Sequence, residues 1–145
     1  AISIGLLSNN EIVSGLIFDP IKNEMFYAEK NKGAFFNNER IRVSKKNQLS
    51  ECLFATGGKK YNSINEISTR KSGCAALDLA YVASGRYDGY CQNNLNLWDI
   101  AAGLIILQEA GGVINDIDLN NHKNLNVIAS SPNINDKFIK KISNF

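Results

Sequence analysis

The chain has 145 residues, 44% of them hydrophobic and 21% charged, enough apolar side chain to enclose a core in one globular unit. Its net charge of +2 comes without a basic run, which excludes a direct nucleic-acid patch or attraction to an anionic membrane. The most apolar stretch, residues 100–107, is far too short to span a bilayer, and no charged-then-apolar leader opens the sequence, so a cytoplasmic protein is expected.

AISIGLL, residues 1–7, reads as a strand, and because the chain opens inside it on Ala1 the sequence reads as a piece of something longer. Ser8, Asn9 and Asn10 end that strand, and EIVSGLIFD follows with many β-branched residues. Asp19-Pro20-Ile21-Lys22-Asn23 is a turn, since proline presets φ and asparagine tolerates the left-handed region. EMFYAEK is the third strand, and AFF and ERIRV flank Asn37-Asn38, a two-residue hairpin signal. Connections this short predict an antiparallel meander.

After Ser44 the pattern changes. CLFAT (52–56) reads as a buried strand, GGKKYNSINE as a polar loop, and GCAALDLAYVASG as a helix closed by Gly85. RYDGYCQ predicts a strand, LWDIAAGLIILQEAGG a helix, VINDID and NVIASS two more strands. Ser131-Pro132 opens a last helix with cations in its final turns. Strands alternating with helices predict a mixed sheet. The expected class is a layered α/β fold, an antiparallel meander followed by a mixed sheet flanked by helices. The division falls near 43–51, residues 1–46 forming the antiparallel sheet and 47–145 the α/β half.

Cys52, Cys74 and Cys91 are odd in number and widely spaced, which suits reduced thiols. His122 stands alone among turn residues and makes no zinc site. Asp99 heads the most apolar helix, beside the single tryptophan, Trp98. As a helix cap it would accept backbone N–H groups and complement the positive end of the dipole. Two features point beyond a cap. Trp98, Ile100, Ala101 and Ala102 predict deeper burial than a cap needs, and Ala101, Ala102 and Gly103 keep the first turn slim, as where a ligand or another backbone comes close.

W-D-I-A-A-G followed by E-A-G-G closely resembles the C-terminal signature of the inositol monophosphatase family of magnesium-dependent phosphatases. FDPIKNEMFYAEKNKGAFFNNERIRVS is similar to that family's second strand and the hairpins after it, and SGCAALDLAYVASGRYDGY to its substrate-side helix and next strand. The resemblance runs from Ala1 to the last helix with one deletion, and is closest to the bacterial extragenic suppressor branch. It implies a truncated inositol monophosphatase-like fold. It implies that Asp99 is a metal ligand at a helix amino end, so that one carboxylate oxygen caps and the other coordinates. The implied cofactor is Mg2+, which takes oxygen ligands in an octahedron and keeps several waters. The family's other ligands, an acidic pair and a D-P-x-D-G-T motif, precede the strand at which this sequence opens. Asp19-Pro20 does not supply them, being followed by Ile21-Lys22-Asn23, and Asp88-Gly89 reads as a strand bend. One carboxylate cannot hold a strongly hydrated Mg2+, so this chain alone is expected to be a poor phosphatase.

The resemblance also assigns substrate contacts to Gly73, Cys74 and Ala75, chiefly through backbone groups. Cys74 stands where the family has Ser or Thr, and as a thiol without a nearby histidine it reads as a small buried thiol. Gln92 falls where many members carry a Glu that binds substrate hydroxyls; it is equally readable as a strand-end polar residue. Asp78 reads as making a structural hydrogen bond or an interface contact, Glu109 as a helix-end residue satisfying neighbouring backbone, and Lys59 and Lys60 as a solvated loop in preference to a phosphate contact. The expected substrate is a small phosphorylated polyol or sugar, hydrolysed by metal-activated water in a lithium-sensitive, homo-oligomeric enzyme. The alternative is a non-catalytic binding protein in transcription and RNA metabolism that contacts RNA polymerase, and a third reading is a decayed frame without activity.

Overall fold

Paired asparagines turn the first hairpin: Asn9 (φ +51°) and Asn10 (φ +59°) occupy the left-handed region that a two-residue turn requires. The computed structural model describes residues 1–58 and 67–143. The Asn9-Asn10 turn joins β1 (Ile2–Ser8) to β2 (Glu11–Asp19). Asp19 shapes the next turn, its Oδ1 accepting the N–H groups of Ile21 (3.0 Å) and Lys22 (3.3 Å), as the reading of Asp19-Pro20 as a turn requires. Then come β3 (Glu24–Glu29), β4 (Gly33–Phe36) and, across Asn37 (φ +44°) and Asn38 (φ +70°), β5 (Glu39–Arg40). All neighbours are antiparallel in the order β1-β2-β3-β4-β5.

The strand period of two gives this meander two unlike faces. On one, Gly5, Gly15, Ala28 and Ala34 lie in register, flanked by Ile17 and Phe26, both fully buried. On the other, Ile4 pairs with Leu16, Leu16 with Tyr27, and Tyr27 with Phe35. Ile2, Ile4 and Leu6 on that second face are 51%, 59% and 57% exposed.

The second sheet has the order β7-β6-β8-β10-β9, from β6 (Leu53–Thr56), β7 (Ser68–Arg70), β8 (Gly89–Leu95), β9 (Val113–Ile114) and β10 (Leu125–Ser130). β6 runs parallel to β7 and β8, whereas β10 is antiparallel to β8 and β9, so the sheet is mixed. Between the sheets lie α1 (Ala75–Ala83) and α2 (Leu97–Glu109); α3 (Asn135–Ser143) covers the far side, its Phe138 stacked on Phe54 at 4.5 Å. From Ile100 onward α2 is buried through Leu107, as a helix apolar all round must be. Arg86, just past α1, ties the layers together: it pairs with Glu24 at 2.8 Å and lies over the Phe36 ring at 4.8 Å.

Several elements differ from their sequence reading. ERIRV pairs only over Glu39–Arg40, after which Ile41 and Val43 turn into the core. VINDID pairs only over Val113–Ile114, because Asn115 then spends its side chain on the Ile128 N–H and the Asn126 carbonyl. β7 was not anticipated, and Lys59 and Lys60 lie outside the described residues. Asp88 does more than bend a strand. It is fully buried, and its Oδ2 accepts the Leu53 N–H (2.7 Å) and the Lys46 ammonium (3.0 Å), fixing the entry to β6.

Candidate functional site

Asp99 is the third residue of α2, and Asn96 precedes the helix in an extended conformation. Its Oδ2 accepts the backbone N–H of Asn96 at 3.1 Å and the Asn96 side-chain amide at 3.3 Å. That is a cap, closed reciprocally across the first turn. The second carboxylate oxygen takes no partner among the described residues, so the same side chain has one oxygen for capping and one to offer.

The two features that pointed beyond a cap resolve differently. Trp98 is 59% exposed and leaves Asp99 half-buried, so the expectation of deep burial is corrected. The slim first turn serves backbone packing. A Cβ on Gly5 would stand 2.9 Å from Ala101 Cβ, one on Gly15 2.7 Å from the Ala102 carbonyl, and one on Gly103 2.7 Å from Leu79. The small residues let α2 lie directly on the meander and on α1.

Asp99 and Trp98 line a cavity of about 330 Å³ together with Gly73, Cys74, Ala75, Ala76, Gln92 and Ser3. Every residue singled out from sequence as a ligand or substrate contact therefore borders one space. A larger hollow, about 530 Å³, lies at the other end of α2. Of its three acids, Glu109 accepts the Asn31 N–H (2.8 Å) and the Gly33 N–H (2.7 Å), the structural role expected of it, and Glu11 pairs with Lys30. The smaller cavity is the candidate site.

A short polar chain shapes the α1 side of that cavity. Ser72 Oγ accepts the Cys74 N–H at 3.1 Å and donates to Asp78 Oδ1 at 2.7 Å. Gly73, between them, has φ +81°, which an L side chain rarely adopts. Cys74 provides no side-chain cap, and the first-turn N–H groups that follow have no intrahelical acceptor. Asp78 is buried, and that burial pushes its carboxyl up to about 6 against the lowering effect of the Ser72 bond. Burial likewise pushes the Cys91 thiol up to about 12 and the Cys52 thiol up to about 11. All three cysteines are unpaired, and Cys74, read from sequence as buried, is half-exposed because it stands at the cavity edge.

On the β8 side, the fully buried Tyr90 donates its hydroxyl to Gln92 Oε1 at 2.8 Å. The two residues lie two apart and share a face of the strand. Gly57 backs the amide so closely that a Cβ there would fall 1.7 Å from Gln92 Oε1. Sequence reasoning named Gln92 but missed Ser72, Tyr90 and Gly57. The signals available were the i, i+2 spacing from Tyr90 and the serine two residues before the cap.

Among the described residues no three of His, Cys, Asp and Glu converge, and Asp99 is the one carboxylate on this cavity. With one of its oxygens engaged, the donor set falls short of what a hydrated Mg2+ demands. The residues present do not by themselves make a magnesium site.

The fold defines a layered α/β protein with a cleft at the amino ends of its two central helices. The family model described as "Inositol monophosphatase family" matches residues 1–145, and the chain belongs to that family. The "Fructose-1,6-bisphosphatase/inositol-1-monophosphatase" of Thermotoga maritima is 41% identical over 99% of this chain and 60% of its own length. The "Nus factor SuhB" of Haemophilus influenzae is 35% identical over 98% of this chain and 59% of its own. The crystal structure of extragenic suppressor protein suhB from Bartonella henselae superposes with a TM-score of 0.89 at 42% identity, covering 97% of this chain and 63% of that one. The chain thus spans about three-fifths of the length of these relatives. None of the helices in the described residues is long and apolar enough to cross a membrane.

Proposed function

We propose that these residues form the substrate-side part of a Mg2+-dependent, cytoplasmic phosphatase that hydrolyses inositol or sugar phosphate monoesters. The supporting observation is the single cavity that gathers Asp99, Gly73, Cys74, Ala75 and Gln92. The family and the Thermotoga relative's name supply the reaction class. Magnesium, where bound, neutralises phosphate charge and makes water nucleophilic. Asp99 would contribute one carboxylate oxygen toward it, and the α1 amino end would offer N–H donors to substrate oxygens. Because the remaining ligands are not among these 145 residues, the chain alone binds Mg2+ weakly and hydrolyses esters barely above background.

A chimera tests this. These residues are joined to the N-terminal part of the Thermotoga relative that lies outside the matched region, and hydrolysis of inositol 1-phosphate is followed. The expected result is Mg2+-dependent turnover exceeding that of the 145-residue chain by roughly a hundredfold and lost in Asp99→Asn. A folded chimera without turnover overturns the proposal, as does robust turnover by the 145-residue chain that Asp99→Asn leaves intact.

The Haemophilus relative's name supports a second reading, a binding role in transcription with RNA polymerase as partner. Retention of RNA polymerase by the immobilised chain, undiminished by Asp99→Asn, favours it.

A further inference from the structure

Tyr90 decides which way the Gln92 amide faces. The Tyr90 hydroxyl is fully buried, and its proton needs an acceptor; among the described residues that acceptor is Gln92 Oε1. Turning the amide over would set an N–H against the hydroxyl and leave the buried O–H proton without an acceptor. Burial also pushes the Tyr90 hydroxyl well above the usual phenol range, so it stays protonated and able to donate. Gly57, having no side chain, leaves the room that the carbonyl end occupies, since a Cβ there would fall 1.7 Å from Oε1. With Oε1 held by Tyr90, the group that Gln92 can present to the cavity is its NH2, a donor.

The α1 side of the wall has the same polarity. Ala75 and Ala76 belong to the first turn of α1, whose N–H groups lack intrahelical acceptors. Asp99 is the one acid on the cavity, and Gln92 on β8 carries no charge. A hydroxyl-rich polyol brings donors that want acceptors; an anionic oxygen group brings lone pairs that want donors.

We infer that Gln92, oriented by Tyr90, makes the cleft select phosphate esters whose non-reacting end carries a second anionic oxygen group over esters of neutral polyols. This rests on the reading of the cavity as a phosphate-ester site. Gln92 is a specificity-determining residue that touches the ligand, and Tyr90 is a positioning residue that acts through it.

The test is a titration of the 15N-labelled full chain, read at the Gln92 side-chain amide and the Ala75 backbone amide. Three probes share one carbon skeleton: glucitol 6-phosphate, 6-phosphogluconate and glucitol 1,6-bisphosphate. The wild type is expected to bind at least one of the two doubly anionic probes more tightly than glucitol 6-phosphate by roughly tenfold, the size of one hydrogen bond to a charged group. Whichever is tighter identifies the second group as carboxylate or phosphate. Gln92→Glu inverts the order, and Tyr90→Phe, which frees the amide to turn, brings the ratio near one. A wild type that binds both doubly anionic probes no more tightly than glucitol 6-phosphate overturns the inference. So does an order that survives Gln92→Glu, or Tyr90→Phe leaving the ratio intact with the backbone spectrum unchanged. Any of these three results, with Ala75 still shifting, leaves the phosphate-ester reading standing. Absence of any shift at Ala75 and Gln92 with all three probes overturns both.

Discussion

Asp78 sits in α1 among apolar neighbours, with the Ser72 hydroxyl as its hydrogen-bond donor. Its carboxyl is raised from an ordinary 3.8 to about 6 by burial. Between those values the folded chain holds a proton that the unfolded chain has released, so stability falls as pH rises from about 4 to about 6 and levels off above. A two-unit shift corresponds to about 3 kcal/mol. Asp78→Asn keeps an acceptor for Ser72 and carries no charge. It is expected to be more stable than the wild type above pH 7, by up to about 3 kcal/mol, with the gap closing toward pH 4. Urea unfolding of both proteins across that range measures it, and a pH-independent gap would refute it. The sequence showed Asp78 to be structural because leucines and a tyrosine surround it at helical spacing. It could not show Ser72, whose partner lies in the first turn of a helix that starts only after a left-handed glycine. At the candidate site the legible part was likewise the motif residues, Asp99, Gly73, Cys74, Ala75 and Gln92. The i, i+2 spacing puts Tyr90 on the Gln92 face without showing that its hydroxyl is buried, and Gly57 makes room for the amide through packing that no local pattern encodes.

At the scale of elements, α2 and the meander are matched by absence of side chain. A methyl group at Gly15 would meet the Ala102 carbonyl at 2.7 Å, Ala102 Cα at 2.8 Å and Ile105 Cγ2 at 2.6 Å. Two of those three atoms are helix backbone, so side-chain rearrangement cannot relieve the contact. Gly15→Ala is expected to cost about 1–3 kcal/mol, and truncating Ile105 as well should not restore the loss. Thermal unfolding of the single and double variants decides it: recovery in the double variant would show that the helix backbone is not what limits the fit. Long periodic elements such as α2 and β2 were legible because each buries a whole face. The short ones were not. β7 has three residues on a sheet edge, paired parallel to β6, and nothing in Ser68-Thr69-Arg70 distinguishes it from loop. ERIRV and VINDID have the alternation of strands, but beyond one further backbone bond each, from Ile41 to Ala34 and from Asn115 to Ile128, their ladders stop, and alternation alone cannot show where.

For the whole molecule, the uncovered face of the meander dominates. Ile2, Ile4 and Leu6 stand exposed on β1, in register with Phe18 and Leu16 and beside a strand edge that pairs with nothing among the described residues. Contiguous apolar surface of more than a few hundred Å² is unusual on a soluble monomer. The 145-residue chain is therefore expected to self-associate through this face, and Ile4→Lys to disperse it without unfolding it. Sedimentation equilibrium tests this, with a dilute wild-type monomer as the result against it. Mass action then links association to folding. Whatever covers this face binds the folded chain and not the unfolded one, so for a dimer each tenfold dilution withdraws about 1.4 kcal/mol per mole of dimer from the folded state. The midpoint of thermal unfolding should rise with protein concentration in the wild type and stay fixed in Ile4→Lys. How much chain is present becomes one of the determinants of how much of it is folded.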